Sequence, residues 1–147
     1  MGPKGERTVA VEKLYRLPVE QLRVGLALEP GEILAEIHVP APKPGSRSTY
    51  LKFKERPSFD FSLAGVAASL AIEGREISAA RLALSGVAPV PWRAVEAEKV
   101  LIGSPLDEAT AGKAAELVVE GSVPLLHNRY KVSLTRTMVR RALLSLA

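Results

Sequence analysis

The 147-residue sequence contains no cysteine. That excludes disulfides, thiolate metal sites, iron–sulfur ligation and a thiol nucleophile from within the chain. Aromatic residues make up only 5%, and there are just two histidines, His38 and His127. They lie far apart, with nothing at metal spacing to supply a third ligand, so no metal site is expected. Long apolar runs are also missing. The longest clean one, Leu63 to Ile72, is diluted by glycine, alanine and serine and falls far short of the roughly 20 residues a membrane span needs. The opening "MGPKGERTVAV" has no apolar signal-peptide core, so a cytoplasmic location is expected, with no membrane partner.

What is present suits one domain with a core of its own: 47% hydrophobic residues and 24% charged ones. The net charge of +4 raises nucleic acid as a partner. The basic residues are scattered among acidic ones, however. Only Arg129, Lys131, Arg136, Arg140 and Arg141 cluster, and on a helix they spread over more than one face. A solvated helix is the better reading, and no nucleic acid is expected.

Periodicity divides the chain. Thr8–Val11 reads as a short strand, Leu28–Glu32 as a tight turn around Pro30 and Gly31, and Ile33–Val39 as a half-buried strand with Ile33, Ala35, Ile37 and Val39 on one side. Pro40–Ser48 is a loop by composition. Alternation resumes over Thr49–Arg56, with Leu51 and Phe53 facing one way and Tyr50, Lys52, Lys54 and Arg56 the other. Leu63–Glu73 and Ile77–Ala88 read as a hairpin turning at Gly74. One side of that hairpin carries Val66, Leu70, Ile72, Leu82 and Leu84. The other carries only Gly65, Ala67, Ser69, Ala71, Ala79, Ala83 and Ser85.

The period then changes. A helix is expected from near Trp92 to Gly103, and a second with Ser104 as N-cap, Pro105 at its first position and Gly121 past its end. A third starts near Asn128, with Tyr130, Leu134, Met138, Ala142 and Leu146 at four-residue spacing. The fold class is therefore α+β: an antiparallel β-sheet followed by about three helices packed on one face.

Catalytic machinery is sparse. No dinucleotide fingerprint or phosphate-binding loop occurs, and "FSLAG" only loosely resembles a nucleophile elbow. Asp60 suits a turn better than a general base. No catalytic residue is expected.

Three ordered stretches, "YLKFKERPSFDFSLAGVAASL", "ARLALSGVAPVPWRAVEAE" and "PLLHNRYKVSLTRTMVRRAL", resemble the C-terminal domain of the FAD-binding (medium) subunit of molybdenum hydroxylases. That family includes xanthine dehydrogenase, carbon monoxide dehydrogenase and aldehyde oxidoreductase. The resemblance implies a two-layer sandwich over residues 28–147, with residues 1–27 as the trailing edge of an FAD-binding module that is otherwise missing. It implies FAD as cofactor, and as partners that FAD-binding module, a molybdopterin subunit and an iron–sulfur subunit. In such oxidoreductases electrons pass from molybdenum through iron–sulfur clusters to the flavin and on to an acceptor.

The same resemblance carries over a lysine that approaches the flavin ring, here Lys54, with Tyr50 and Arg56 beside it. Arg56, Asp60 and Arg93 also match family positions and are assigned to domain packing before flavin contact. Weak or absent FAD binding by this chain alone is expected, because the glycine-rich turns that grip the pyrophosphate are missing. An interaction module that kept the fold but docks a partner through Tyr50–Arg56 is the alternative.

Overall fold

The computed structural model describes residues 1–20 and 23–147. They form two units, Met1–Pro42 and Lys43–Ala147.

In the first unit, α1 (Val11–Leu14) is a single turn with no buried residue. Thr8–Ala10, expected as a strand, has no ladder, and Val11 already belongs to α1. The Pro30–Gly31 turn forms as expected, with Gly31 at φ 83° and the Glu32 amide donating to the Glu29 carbonyl at 3.0 Å. Arg7 grips the Glu32 carboxylate with two hydrogen bonds of 2.7 and 2.6 Å. Those bonds, the Glu29 amide and the Arg7 charge hold the Glu32 pKa down at about 2. Ile33–Val39 is not a half-buried strand. It pairs with no strand among the described residues and is exposed throughout, because its alternation has no neighbouring strand to complete.

The second unit is a four-stranded antiparallel sheet in the order β1-β2-β3-β4. The strands are β1 (Ser46–Phe53), β2 (Ala64–Glu73), β3 (Glu76–Ser85) and the two-residue β4 (Trp92–Arg93). β2 and β3 form the expected hairpin, with Gly74 at φ 64° in the connection. Three helices follow: α2 (Val95–Leu101), α3 (Glu108–Val119) and α4 (Tyr130–Leu144). α2 packs on β3, α4 on β2 and β1, and α3 lies against the other two helices. This is the α+β architecture read from the sequence.

Alternation in the hairpin decides where the core sits. Val66, Ala68 and Leu70 of β2 and Ala80, Leu82 and Leu84 of β3 are buried, together with Ala97 and Leu101 of α2, Ala111, Ala114 and Ala115 of α3, and Met138, Val139, Ala142 and Leu143 of α4. The buried cluster holds no aromatic side chain. Alanine at contact points lets the helices approach the sheet and each other closely, so methyl-sized changes are felt. Ile77 is fully buried, and its backbone bonds both Ser104 and Gly103 at 2.9 Å. Ile77→Val is expected to destabilise the unit by about 1 kcal/mol, seen as a lower midpoint in denaturant unfolding with an unchanged m-value.

Four expected boundaries shift for local reasons. β1 begins at Ser46, inside the segment read as loop, and ends at Phe53, so Lys54 and Arg56 are not on its face. The hairpin's second strand stops at Ser85 rather than Ala88. Trp92 and Arg93 extend the sheet rather than start a helix, because the Ala94 amide still bonds the Leu82 carbonyl of β3 at 2.9 Å. Asp107, not Ser104, caps α3, accepting from the Thr110 amide at 2.8 Å. That bond holds the Asp107 carboxyl below its ordinary range. Ser104 instead donates back to the Val100 carbonyl at 2.9 Å, tying off α2. Gly121 follows α3 at φ 70°, as expected of a helix end. In α4 the buried stripe runs through Thr135, Met138, Val139, Ala142 and Leu143, so the four-residue row marked only one of its edges, and Tyr130 stays exposed.

Candidate functional site

The helices cover one face of the sheet. On the other face, strand register sets Tyr50 of β1 opposite Ala67 of β2, and Ala67 opposite Ala83 of β3. Lys52 lies opposite Gly65 and Gly65 opposite Ser85; Ser48 lies opposite Ser69 and Ser69 opposite Arg81. The result is a floor of small side chains flanked by Tyr50, Lys52 and Arg81. Gly65 shapes one end of it. A Cβ there would overlap Ser85 Oγ and sit 3.0 Å from Tyr50 Oη, so the glycine is what lets the tyrosine lie against the sheet. The Ser85 hydroxyl is buried and has no hydrogen-bond partner among the described residues.

Beyond β1 the chain makes a loop closed at its base by the Leu63 amide, which donates to the Phe53 carbonyl at 2.8 Å. Within it, Lys54 Nζ donates to the Ser58 carbonyl at 2.7 Å, and Arg56 lies 3.4 Å from the Asp60 carboxylate. Asp60 also accepts from the Phe61 amide at 2.8 Å, which is a turn role. Phe59 and Phe61 are fully exposed. Lys52 Nζ stands 5.9 Å from the Phe59 ring centre, within cation–π range. All three phenylalanines of the chain are therefore on the surface at this end of the sheet.

The three residues singled out by resemblance are thus distributed. Tyr50 stands on the open strand face; Lys54 and Arg56 belong to the aromatic loop and are engaged with its own carbonyl and carboxylate. Lys52, Phe59, Gly65 and Ser85 were not singled out as site residues. Alternation gives Lys52 the same face as Tyr50, and that signal was readable. The folding of Phe59 back toward Lys52 has no sequence signature.

A different cluster fixes the geometry. β4 is so short that the Leu82 amide has no strand partner, and the Glu98 carboxylate of α2 accepts from it at 3.0 Å. Arg93 holds the same carboxylate with two bonds of 3.0 and 2.8 Å, and Arg81 lies 3.6 Å away. Glu98 is only 3% exposed. Burial pushes its pKa up, but the Arg93 bonds, the Leu82 amide and the two arginine charges outweigh burial and leave the carboxyl below its ordinary range. Arg93 thus ties β4 to α2 within this unit.

A cavity of about 240 Å³ opens on the helical side, lined by Leu84, Trp92, Val118, Val123, Lys131 and Thr135 among others. Trp92 is half-exposed at this cavity, and none of the three residues singled out by resemblance lines it.

Residues 48–146 match the model of the CO dehydrogenase flavoprotein C-terminal domain. The carbon monoxide dehydrogenase medium chain of Afipia carboxidovorans is 34% identical over 145 residues, covering 96% of this chain and 48% of that protein. The FAD-binding subunit of aldehyde oxidoreductase from Escherichia coli is 34% identical over 100 residues, covering 67% of this chain and 30% of that subunit. Among solved structures, carbon monoxide dehydrogenase from Hydrogenophaga pseudoflava superposes with a TM-score of 0.87 at 32% identity, over 99% of this chain and 50% of its counterpart. The chain spans about half the length of the two carbon monoxide dehydrogenase chains. The ordered motifs, the open-faced sheet with its helical backing and these matches lead to one conclusion: this chain belongs to the CO dehydrogenase flavoprotein C-terminal domain family.

Proposed function

We propose that the chain is the flavin-covering part of an FAD-binding subunit in a molybdenum hydroxylase of the xanthine, aldehyde or carbon monoxide dehydrogenase type. FAD, when bound, supplies a ring that takes up electrons from a molybdenum and iron–sulfur system and passes them to an acceptor. The residues of this chain provide one wall. Residues 1–27, of which 21 and 22 lie outside the described residues, are assigned to the edge of the flavin-binding module.

The observation that carries this reading is the open sheet face. A floor of glycine, alanine and serine admits a flat ring or another backbone at close range. Gly65, whose side of the sheet is filled by Ser85 and Tyr50, keeps that tyrosine flat against the face, so the floor beside it stays low. The residues present therefore fit a flavin wall. Tyr50 offers a ring face and a hydroxyl. Lys54 and Arg56 offer cations from the loop, which stabilise negative charge gathering nearby and so tune the ring's chemistry. Lys54 is already held by the Ser58 carbonyl, so its ammonium is positioned by the loop rather than free to wander.

One wall does not bury a ligand. The positive-φ glycines of the described residues, such as Gly31, Gly74 and Gly121, sit in turns and at a helix end, not clustered at a helix N-terminus where a pyrophosphate binds. Equilibrium dialysis of the purified chain against FAD is expected to show a Kd well above micromolar; retention at micromolar or below contradicts the proposal. The alternative, a docking module without flavin, predicts that the chain binds its partner equally well whether FAD is present or absent.

A further inference from the structure

We infer that the cavity on the helical side is a binding site in its own right, and that it takes a small aromatic acid: one ring among its apolar side chains and a carboxylate at its polar end. It is separate from the flavin wall, since Tyr50, Lys54 and Arg56 take no part in its lining.

The space opens where regular structure stops. β3 ends at Ser85 and β4 is only two residues long, so the connection 86–91 leaves the sheet. α3 ends at Val119 and α4 begins at Tyr130, joined by 120–129. Leu84, Val118 and Val132 line the gap between sheet and helices. Trp92 and Val123 also line it, yet they are 49% and 90% exposed. They leave apolar surface in water that a ring would cover. The volume sets the size of that ring: about 240 Å³, against roughly 150 Å³ for a cavity that takes up benzene. One ring with a short side chain fills it, and the indole of Trp92 offers that ring an aromatic neighbour.

The polar end is read from hydrogen bonds not made. Thr135 lines the cavity and is only 4% exposed. Its neighbours on α4, Ser133 and Thr137, donate back to the carbonyls of Tyr130 and Ser133 at 3.0 and 2.9 Å. The Thr135 hydroxyl makes no hydrogen bond among the described residues. Leaving a buried hydroxyl unpaired is costly, and an acceptor on a ligand removes that cost. Asn128 accepts from the Leu125 amide at 2.7 Å through its side-chain oxygen, which leaves its NH₂ to donate. Lys131 uses one of its three donors on the Gly86 carbonyl, at 2.8 Å. All three line the cavity, and what they offer in common is a hydrogen to an oxygen. Lys131 is the one cation in the lining and Glu120 the one carboxylate. Glu120 is exposed whereas Lys131 is half-buried, so water screens the acid more than the ammonium. The balance favours an anion.

Trp92 is the only tryptophan in the sequence, so its fluorescence reads this cavity directly. Titration of the 147-residue chain with 3-phenylpropionate is expected to shift the emission to the blue and to saturate, with a Kd of about 0.1–1 mM. The uncharged 3-phenylpropan-1-ol, with the same ring and chain, is expected to bind at least fivefold more weakly. Lys131→Met is expected to abolish that preference. Thr135→Val, which breaks no bond in the free chain, is expected to weaken the acid at least fivefold, with its melting temperature within about 3 °C of the wild type. Saturation-transfer NMR on the ligand gives a second readout that does not depend on Trp92. Unmoved emission and no saturation transfer at about 10 mM acid overturn the site. Equal binding of acid and alcohol overturns the ligand class, and an affinity that neither variant changes places the probe elsewhere and overturns the assignment. FAD enters none of these measurements, so their failure and that of the flavin reading are told apart.

Discussion

Glu98→Ala is expected to lower the melting temperature of the chain by roughly 10–15 °C, corresponding to about 3 kcal/mol. The size follows from what the carboxylate does. It is the hydrogen-bond partner of the Leu82 amide, which has no strand beside it, and it is the anion between Arg93 and Arg81. Removing it leaves a buried donor unmade and two guanidiniums facing one another. It also removes the side-chain tie between α2 and the edge of the sheet. Arg93→Ala should be milder, because Arg93 is partly solvated and Arg81 remains near the anion.

The pH dependence has a definite sign. Folded Glu98 binds its proton less tightly than unfolded Glu98, whose carboxyl titrates near about 4.3. Its contribution is therefore complete above that value and is lost as pH falls through the depressed folded pKa. Glu98→Gln keeps a hydrogen-bond acceptor for Leu82 but removes this titration. Thermal melts at neutral pH and at about pH 3 should show the wild type and Glu98→Gln converging as the solution is acidified. A pH-independent gap between them contradicts the assignment.

Ala67→Arg is expected to do the opposite: leave stability within about 0.5 kcal/mol and weaken assembly with a flavin-holding half by at least tenfold. Ala67 is exposed at the centre of the small-residue floor, between Tyr50 and Ala83. An arginine there reaches solvent without strain, so the sheet and its helical backing stay intact. It also stands up from a surface whose use depends on close approach. Isothermal titration of the variant against the flavin-holding half, beside a melt of the variant alone, separates the two effects. Unimpaired binding by a stably folded Ala67→Arg shows that the open face is not the one in use.

Much of this architecture is legible in the amino-acid order because one hairpin carries so clean an alternation. Val66, Leu70, Leu82 and Leu84 against Gly65, Ala67, Ala83 and Ser85 give both the strands and the two faces before any coordinate is known. The helical layer is legible for the same reason, through spacing and a terminal glycine. What was not legible depended on partners distant in sequence. Trp92 and Arg93 read as helix because nothing local reveals that Ala94 is still bonded to Leu82. Ser104 read as a cap because its hydroxyl was free to do either job, and Val100 was the nearer acceptor. Ile33–Val39 read as a half-buried strand because its pattern is that of one, while burial requires a neighbour that pattern does not supply. Of the site, Tyr50 and Lys52 follow from alternation. The positions of Lys54 and Arg56 do not, since β1 ends one residue before Lys54 and the loop bonds them to its own Ser58 and Asp60.

The flavin absorbance spectrum after mixing addresses the central claim most directly. The unmatched half of the Afipia carboxidovorans medium chain is incubated with FAD, with and without this chain, and each mixture is passed through a desalting column. The account predicts that yellow flavin elutes with protein only, or at least tenfold more, when this chain is present, and that its visible bands shift as the ring meets a new wall. Equal retention and an unchanged spectrum in both mixtures would mean that this chain covers no flavin.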